Sequence, residues 1–343
     1  SSGGSKAAYP CKSYGQGRIN PAYFYGVFDP NDMRRDVSIT MTGSNGKGVE
    51  KLIPFVPNSK AEGGGLTLNK WDENRQANPW VAAQRKSGIN GPYMRMSEVY
   101  LGYAEVCAAL GDVVTGKQYL KTVRERSFPQ GLANTDAFIA SFGNDLVRAI
   151  IEERGFEYAG EGDRRWTLIR SGYLPEDIKR IKDMTKAMMD GLATKGYYEF
   201  ENGNIISAYI WTKLVDAKTI YGHRLTAQCP TDKVNDPVLY PGWRGQKDNW
   251  EEMGLNYGSS TPATNLAIKG LFEIVSEEEA ASLESQGYAK VNWGIDLVDY
   301  RDEYDKYLFW DYDYVSAPIY LWPFTPNVMA AGGFTNGYGF KQE

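Results

Sequence analysis

The densest group of residues that could do chemistry lies in the run EERGFEYAGEGDRR. Glu153, Glu157 and Glu161 are four residues apart, so a continuous helix would place them on one side. Two of these glutamates could serve as the acid and the nucleophile of a glycosidase, if a cleft held them at a fixed separation. They could instead pair with Arg154 and Arg164 in an ion-pair network that locks this helix to its neighbours. Because arginine-paired carboxylates have lowered pKa values and are poor general acids, the structural interpretation is favoured.

Other catalytic and metal-binding patterns find little support in the sequence. The single histidine, His223, lacks partners for a triad or a histidine zinc site and is interpreted as a structural or surface residue. The cysteines contain no CxxC pair, which argues against a thiolate zinc site. Cys107 is predicted to be a core residue, whereas Cys11 and Cys229 could pair in an exported protein. The acidic stretch 296–314 lacks the ligand spacing of a calcium-binding loop and is interpreted as the solvent-exposed face of a helix. No catalytic residue, metal or cofactor is therefore predicted.

Aromatic residues in loops are the remaining chemical signal. The chain has 24 Tyr and 9 Trp, an unusually large number of rings with a polar edge. A sugar stacks its C–H bonds on a flat ring while neighbouring polar side chains bind its hydroxyls. Each ring could equally anchor its own loop to the core. The candidates for ligand binding are Tyr25, Trp80, Trp243, Arg244 and Trp250.

Charge and length narrow the class of protein. The 343 residues suffice for one large domain or two ordinary ones with a sizeable core. The net charge is −5, with both signs interspersed and no Lys/Arg block, which argues against nucleic acid or an anionic membrane surface as a partner. The sequence begins SSGGSKAAYP, without Met or a signal peptide, and is interpreted as a processed or truncated piece.

The elements that must position these residues are mainly helices from residue 92 onward. A first helix, 92–110, is predicted to start near Pro92 and to stop at Gly111. Its predicted buried stripe has alternating spacings of three and four: Tyr93, Met96, Tyr100, Tyr103, Cys107 and Leu110. A second helix follows at once, with an inward face of Tyr119, Leu120 and Val123. Two helices joined this closely should form an antiparallel hairpin that stacks with others, as in tetratricopeptide-type solenoids.

The sequence on either side of this hairpin is less regular. One long third helix, capped by Thr135 or Asp136, is predicted to carry Phe138, Phe142, Leu146, Ala149 and Ile150 on its buried side. Shorter helices should then alternate with polar, aromatic loops, and the tail 316–340 should be an irregular wrap. Residues 1–90 show weak periodicity, with an extended run and a hairpin or loose loop at GSNGKG.

Three motifs in these helices occur in the order found in one known family. RMSEVYLGYAEV, VRERSFP and ERGFEYAGEGDRRWTLIRSG match the charged and aromatic signatures of the SusD/RagB family. Upstream, FDPNDMRRD resembles the family's Asp-Pro-Arg-Arg-Asp element, and YLWPFTPNVMAAGGFTNGYGF resembles its closing segment. Trp166 and Thr167 depart from the pattern, because the family has an aspartate–leucine pair there. The resemblance covers nearly the whole chain.

The resemblance implies a mainly α fold. It would be a tetratricopeptide-like α-α superhelix with long irregular loops and minor β structure. Residues 1–343 would form a single domain that lacks its N-terminal part, with a helical core at 92–172 and a loop-rich region at 173–343. The charged cluster would be a structural ion-pair network made of Arg95, Glu98, Glu153, Arg154, Glu157, Glu161 and Arg164.

Members of this family are surface nutrient-binding lipoproteins of Bacteroidetes. The resemblance therefore implies non-catalytic binding of an extracellular glycan and its delivery to a SusC-like, TonB-dependent transporter. The protein would sit on the outer surface of the outer membrane and touch it only through a lipid anchor absent from this chain. It would need no cofactor. A glycoside hydrolase on a helical scaffold and a protein-binding helical-repeat scaffold are the alternatives.

Overall fold

The fold is given by a computed structural model. It describes residues 19–44, 50–55, 65–68, 70–71, 91–216, 264–301, 320, 324–333 and 335. After a π-helical turn at Tyr23–Val27, the helices are α1 Met33–Ser38, α2 Met96–Ala109, α3 Val113–Glu125, α4 Thr135–Ala140, α5 Leu146–Glu157, α6 Asp163–Ser171, α7 Leu174–Lys195, α8 Glu277–Ser285, α9 Gly294–Asp299 and α10 Pro326–Gly332. The strands are β1 Ile39–Thr40, β2 Thr42–Ser44, β3 Glu50–Leu52, β4 Thr67–Leu68, β5 Tyr197–Glu199, β6 Ile205–Ser207, β7 Tyr209–Asp216, β8 Thr264–Lys269 and β9 Ala289–Asn292. The predicted mainly α class with minor β structure is confirmed.

Helices α2 and α3 form the predicted hairpin and pack together on α5. Leu120 and Val123 of α3 are buried, as their spacing predicts. Gly111 ends α2 with a φ of 88°, a left-handed conformation that favours glycine. The start was predicted too early, because the first helical residue is Met96 and Arg95 precedes it as the N-cap. Asp112 then caps α3 by accepting a hydrogen bond from the backbone N–H of Thr115.

The predicted buried stripe of α2 is wrong at four of its six positions, although Cys107 is buried as predicted and Tyr100 is partly buried. The buried side chains include Leu101, Ala104 and Cys107, whereas Tyr93 is 99% and Leu110 82% exposed. Met96 and Tyr103 are exposed as well. The physical reason is close packing: α3 approaches so tightly that a Cβ on Gly116 would lie 3.0 Å from the carbonyl oxygen of Ala104. Small residues therefore face the partner helix, and the bulky rings are left outside.

The predicted single long helix over 135–166 is also wrong, because it is three helices. Gly143 and Asn144 both adopt a φ of 66°, which breaks the chain between α4 and α5. Asp145 then caps α5 by accepting a hydrogen bond from the backbone N–H of Arg148. The predicted cap of α4 shifts by one residue, since Asn134 accepts from the backbone N–H of Ala137. Leu146, Ala149 and Ile150 are buried, as predicted.

A second, aromatic core joins parts of the chain that are far apart in sequence. It is built from the π-helical turn, the C-terminal half of α7 and one face of a three-stranded sheet. At its centre the indole N–H of Trp293 donates to the hydroxyl of Tyr25 (2.9 Å), and both side chains are fully buried. This core fixes the N-terminal arm, the described residues between 19 and 71, against the C-terminal sheet.

The sheets are small and antiparallel. In the largest, β7 lies between β8 and β9, with Trp211 opposite Lys269 on one side and Lys290 on the other. β1 pairs with β4, and β5 with β6. β2 and β3 pair across the predicted hairpin segment, although the loop itself lies outside the described residues.

The C-terminal segment contains a helix that was not predicted. α10 runs over Pro326–Gly332, where an irregular wrap was expected. Pro326 occupies its first turn and Gly333 ends it with a φ of 64°, so both proline and glycine act here as helix boundaries rather than as loop residues. Among the described residues, no helix is both long and apolar enough to cross a membrane.

Candidate functional site

The charged cluster is centred on α5, whose three glutamates, Glu152, Glu153 and Glu157, are almost completely buried. Glu153 lies between two arginines: Arg34 donates to one of its oxygens (2.6 Å) and Arg124 to the other (3.0 Å). The guanidinium of Arg124 also stacks 3.8 Å above the ring of Phe138. α1, α3 and α4 are therefore tied to α5 around one carboxylate.

Glu157 is bound by three arginines. Arg95 and Arg126 both contact its Oε1, while Arg34 donates to its Oε2 (3.0 Å). Arg95 also reaches Glu161 (2.7 Å), so one guanidinium bridges the two glutamates. The N-terminal arm, the start of α2 and the end of α3 thus converge on the last residue of α5.

These arginines set the protonation state of Glu157. Burial by itself raises the pKa of the carboxyl group, but the nearby charges of Arg34, Arg126 and Arg95 outweigh burial and lower that pKa to about 2. Glu157 is therefore a carboxylate at every physiological pH. A general acid needs a raised pKa, so this residue is unsuited to protonate a leaving group.

A second set of ion pairs connects α5 to α6 and α7. Arg164 donates to Glu152 (2.9 Å) and to Asp177 (2.9 Å). Burial acts to lower the pKa of Arg164, but Glu152 and Asp177 raise it well above its usual value. Arg154 donates to Asp163 (2.5 Å) and lies 3.9 Å from Glu98 at the side of α2. Each of these helices is thereby linked to α5 by at least one arginine.

The structure thus brings all seven residues of the predicted network into contact with partners. Sequence reasoning missed several of those partners: Arg34, Lys70, Glu152, Asp177 and Asp163. A signal for Arg34 was present in the sequence, because FDPNDMRRD contains two adjacent arginines that could supply ion-pair partners. Nothing in local spacing indicates Lys70, which pairs with Glu161 from the N-terminal arm.

The predicted ligand-binding rings fare differently. Tyr25 is fully buried in the aromatic core, where its hydroxyl accepts a hydrogen bond from the indole N–H of Trp293. Tyr25 is therefore a core residue and not, as predicted, a residue that contacts ligand. The residues Trp80, Trp243, Arg244 and Trp250 lie outside the described part of the chain, as do Cys11, Cys229 and His223. Cys107 is buried, as predicted.

Taken together, the fold and the site define a helical-hairpin scaffold held by buried arginine–glutamate pairs. A comparison with known families identifies it further: the SusD family matches over residues 4–324, and the chain belongs to that family. It is similar to the SusD-like protein P25 of Formosa agariphila, at 28% identity over 160 residues. That match covers 46% of this chain and 26% of the relative, so about a quarter of the relative's length is spanned. No solved structure matches the chain.

Proposed function

We propose that the protein binds an extracellular glycan without cleaving it and delivers it to a SusC-like, TonB-dependent transporter. The observation that carries this proposal is the match to the SusD family over nearly the whole chain. We place the protein at the outer surface of the outer membrane, with a lipid anchor as its membrane contact. The ring-bearing loops would hold the sugar through Trp80, Trp243, Arg244 and Trp250.

The chemistry of the glutamate cluster supports binding rather than catalysis. A glycosidase needs one carboxyl group that keeps its proton and a second that faces the sugar. Glu153 and Glu157 are instead buried, and each accepts hydrogen bonds from two or more arginines. The lowered pKa of Glu157 removes it as a proton donor.

Isothermal titration calorimetry tests the proposal directly. The 343-residue chain is titrated with maltohexaose, cellohexaose, laminarihexaose, xylohexaose and mannohexaose. We expect saturable heat with at least one of them, because a surface that stacks and hydrogen-bonds one pyranose discriminates between linkages. No binding to any of the five would contradict the proposal.

A parallel incubation with labelled sugars distinguishes a glycoside hydrolase from a protein that only binds the sugar. Fluorescently labelled hexasaccharides should remain at full length after prolonged exposure to the protein. Turnover that disappears in Glu157→Gln would favour the enzyme over the binding protein. Co-purification with a large outer-membrane barrel and indifference to every sugar would favour a scaffold that binds protein alone.

A further inference from the structure

Trp166 on α6 is an exposed ring without a structural role in the described part of the chain. Its side chain is 54% exposed. Among the described residues, its indole N–H has no hydrogen-bond partner and its ring makes no aromatic or cation–π contact. Trp166 also stands where the family pattern has an aspartate, so family membership does not account for it. An indole exposed on a rigid helix offers a flat apolar face and an N–H donor to a ligand.

The surroundings of Trp166 are set by two ion-pair contacts that hold α6 beside α2. At one end, Arg170 binds Glu105 through both of its terminal nitrogens, at 2.5 and 2.8 Å. At the other end, Arg154 connects Asp163 to Glu98. The contacts on each helix are seven residues apart, about two turns, so the two links join α2 and α6 at matching levels, one directly and one through Arg154 of α5.

Trp166 and Gly102 lie next to this line of ion pairs. Trp166 is four residues before Arg170, and Gly102 is three residues before Glu105, which places each on the same side of its helix as the paired residue. A Cβ on Gly102 would meet nothing within 4 Å. The surface strip between the two helices is called the α2–α6 groove. The ion pairs lie along it, the exposed indole ring borders it on α6, and Gly102, which has open space beside it, borders it on α2.

The polar groups beside the ring are suited to hydroxyl groups. The side chain of Arg170 is 46% exposed and offers N–H donors, and that of Glu98 is 40% exposed and offers carboxylate oxygens. Donor and acceptor lie on either side of the ring, as a pyranose needs when its C–H face stacks on an indole. Three carboxylates and two guanidinium groups surround the groove, so an anionic sugar would gain nothing there.

We propose that this groove between α2 and α6 is a binding site for one unit of a neutral oligosaccharide, with Trp166 as the stacking platform. The inference rests on the proposed glycan binding and assigns part of it to residues of the helical core. Arg170 and Glu98 bind sugar hydroxyls, and Gly102 leaves room for the ring above the ion pairs.

The test compares Trp166 variants in titrations with the five neutral hexasaccharides. For a hexasaccharide that the unaltered chain binds, Trp166→Ala should weaken the affinity about tenfold or more, because an anchoring tryptophan dominates such sites. Trp166→Phe keeps a flat ring and should bind within about threefold of the unaltered chain. Tyr300→Ala is the matched control, since it removes an exposed ring at the end of α9, next to Arg301, which pairs with Asp190 in the C-terminal half of α7, and the sugar affinity should not change.

Gly102→Leu provides a second variant that does not depend on Trp166. The new side chain enters open space on a helix, so thermal stability should rise while sugar affinity falls. A purely structural role of this region would not produce opposite shifts of these two quantities. Unchanged affinity in both Trp166→Ala and Gly102→Leu, with binding to the unaltered chain intact, would overturn the assignment of this groove and leave the proposed function standing. Absence of binding to any hexasaccharide would overturn both.

Discussion

At the scale of single residues, Glu157 joins three segments of the chain outside α5 through the ion-pair network. It accepts from Arg34, Arg95 and Arg126 although its side chain is 2% exposed. A buried carboxylate of this kind is tolerated only because the surrounding guanidinium groups offset its desolvation. Removing its charge would leave several arginines facing a neutral group.

Glu157→Gln should therefore destabilise the protein by about 3 kcal/mol, in the range found when one partner of a buried ion pair is removed. The measurement is the free energy of unfolding in urea. The matched control is Asp183→Asn, which breaks an exposed pair with Lys179 and should cost less than about 1 kcal/mol. Equal losses in the two variants would contradict the role assigned to Glu157.

The lowered pKa of Glu157 also predicts how stability depends on pH. Its folded-state pKa is about 2 and its ordinary value 4.5, so the unfolded chain takes up this proton first as the pH falls. The contribution of Glu157 is fully present above about pH 5 and is lost progressively as the pH falls toward 2. Unfolding free energies measured between pH 7 and 3 should decline, and the decline should be smaller in Glu157→Gln. Parallel curves for both proteins would contradict the predicted linkage.

At the scale of elements, the α2–α3 hairpin shows what the sequence could and could not predict. The existence of both helices follows from their periodicity and from Gly111. The buried face of α2 does not follow, because tyrosine and methionine satisfy a hydrophobic pattern on either side. The side that packs is instead decided by small residues, Ala104 and Gly116, whose importance appears only when a second helix is present.

The close approach of α2 and α3 predicts opposite effects for two glycine substitutions. Gly116→Ala should destabilise, because its Cβ would lie 3.0 Å from a backbone oxygen and 3.1 Å from Leu146. Gly102→Ala should stabilise by up to about 1 kcal/mol, because its Cβ enters open space and alanine favours the helix. Thermal unfolding of the two variants measures this, and the same sign for both would contradict the packing described.

The outward side of α2 and the start of α3 form an apolar surface: Met96, Val99, Tyr103, Val106, Leu110, Val113 and Val114 are all exposed. Exposed apolar surfaces of this kind mark sites of association. We expect concentration-dependent self-association that the double variant Leu110→Lys, Val114→Lys reduces. Sedimentation velocity measures it, with Lys186→Ala on the exposed side of α7 as the control. Monomers at all concentrations for the unaltered chain would contradict this expectation.

Other elements show different limits of sequence-based prediction. The break between α4 and α5 carries a local signal, Gly143 and Asn144 before the capping Asp145, which the helical pattern on both sides obscured. No local signal in the sequence indicates that Arg34 contacts Glu153 and Glu157. More than a hundred residues separate these partners, and only the tertiary fold brings them together. The glutamate spacing predicted a cluster, but not which arginines would complete it.

At the scale of the whole molecule, two large hydrophobic cores and one ion-pair network together hold the described elements in place. The helical hairpin forms one core, and the aromatic residues around Tyr25 and Trp293 form the other. The network around α5 ties the N-terminal arm to the hairpin through Arg34 and Lys70. Such a scaffold holds surface groups in fixed positions, which would lower the entropy cost of the proposed sugar binding at the α2–α6 groove.

The most direct test of binding without cleavage is the mass of a hexasaccharide recovered from its saturated complex with the protein. The complex is formed with the sugar that gives saturable heat, held for a day and denatured, and the released sugar is analysed by mass spectrometry. We predict a single species of six units, because Glu153 and Glu157 are held as arginine-bound carboxylates. Shorter sugars that accumulate with time would contradict this account.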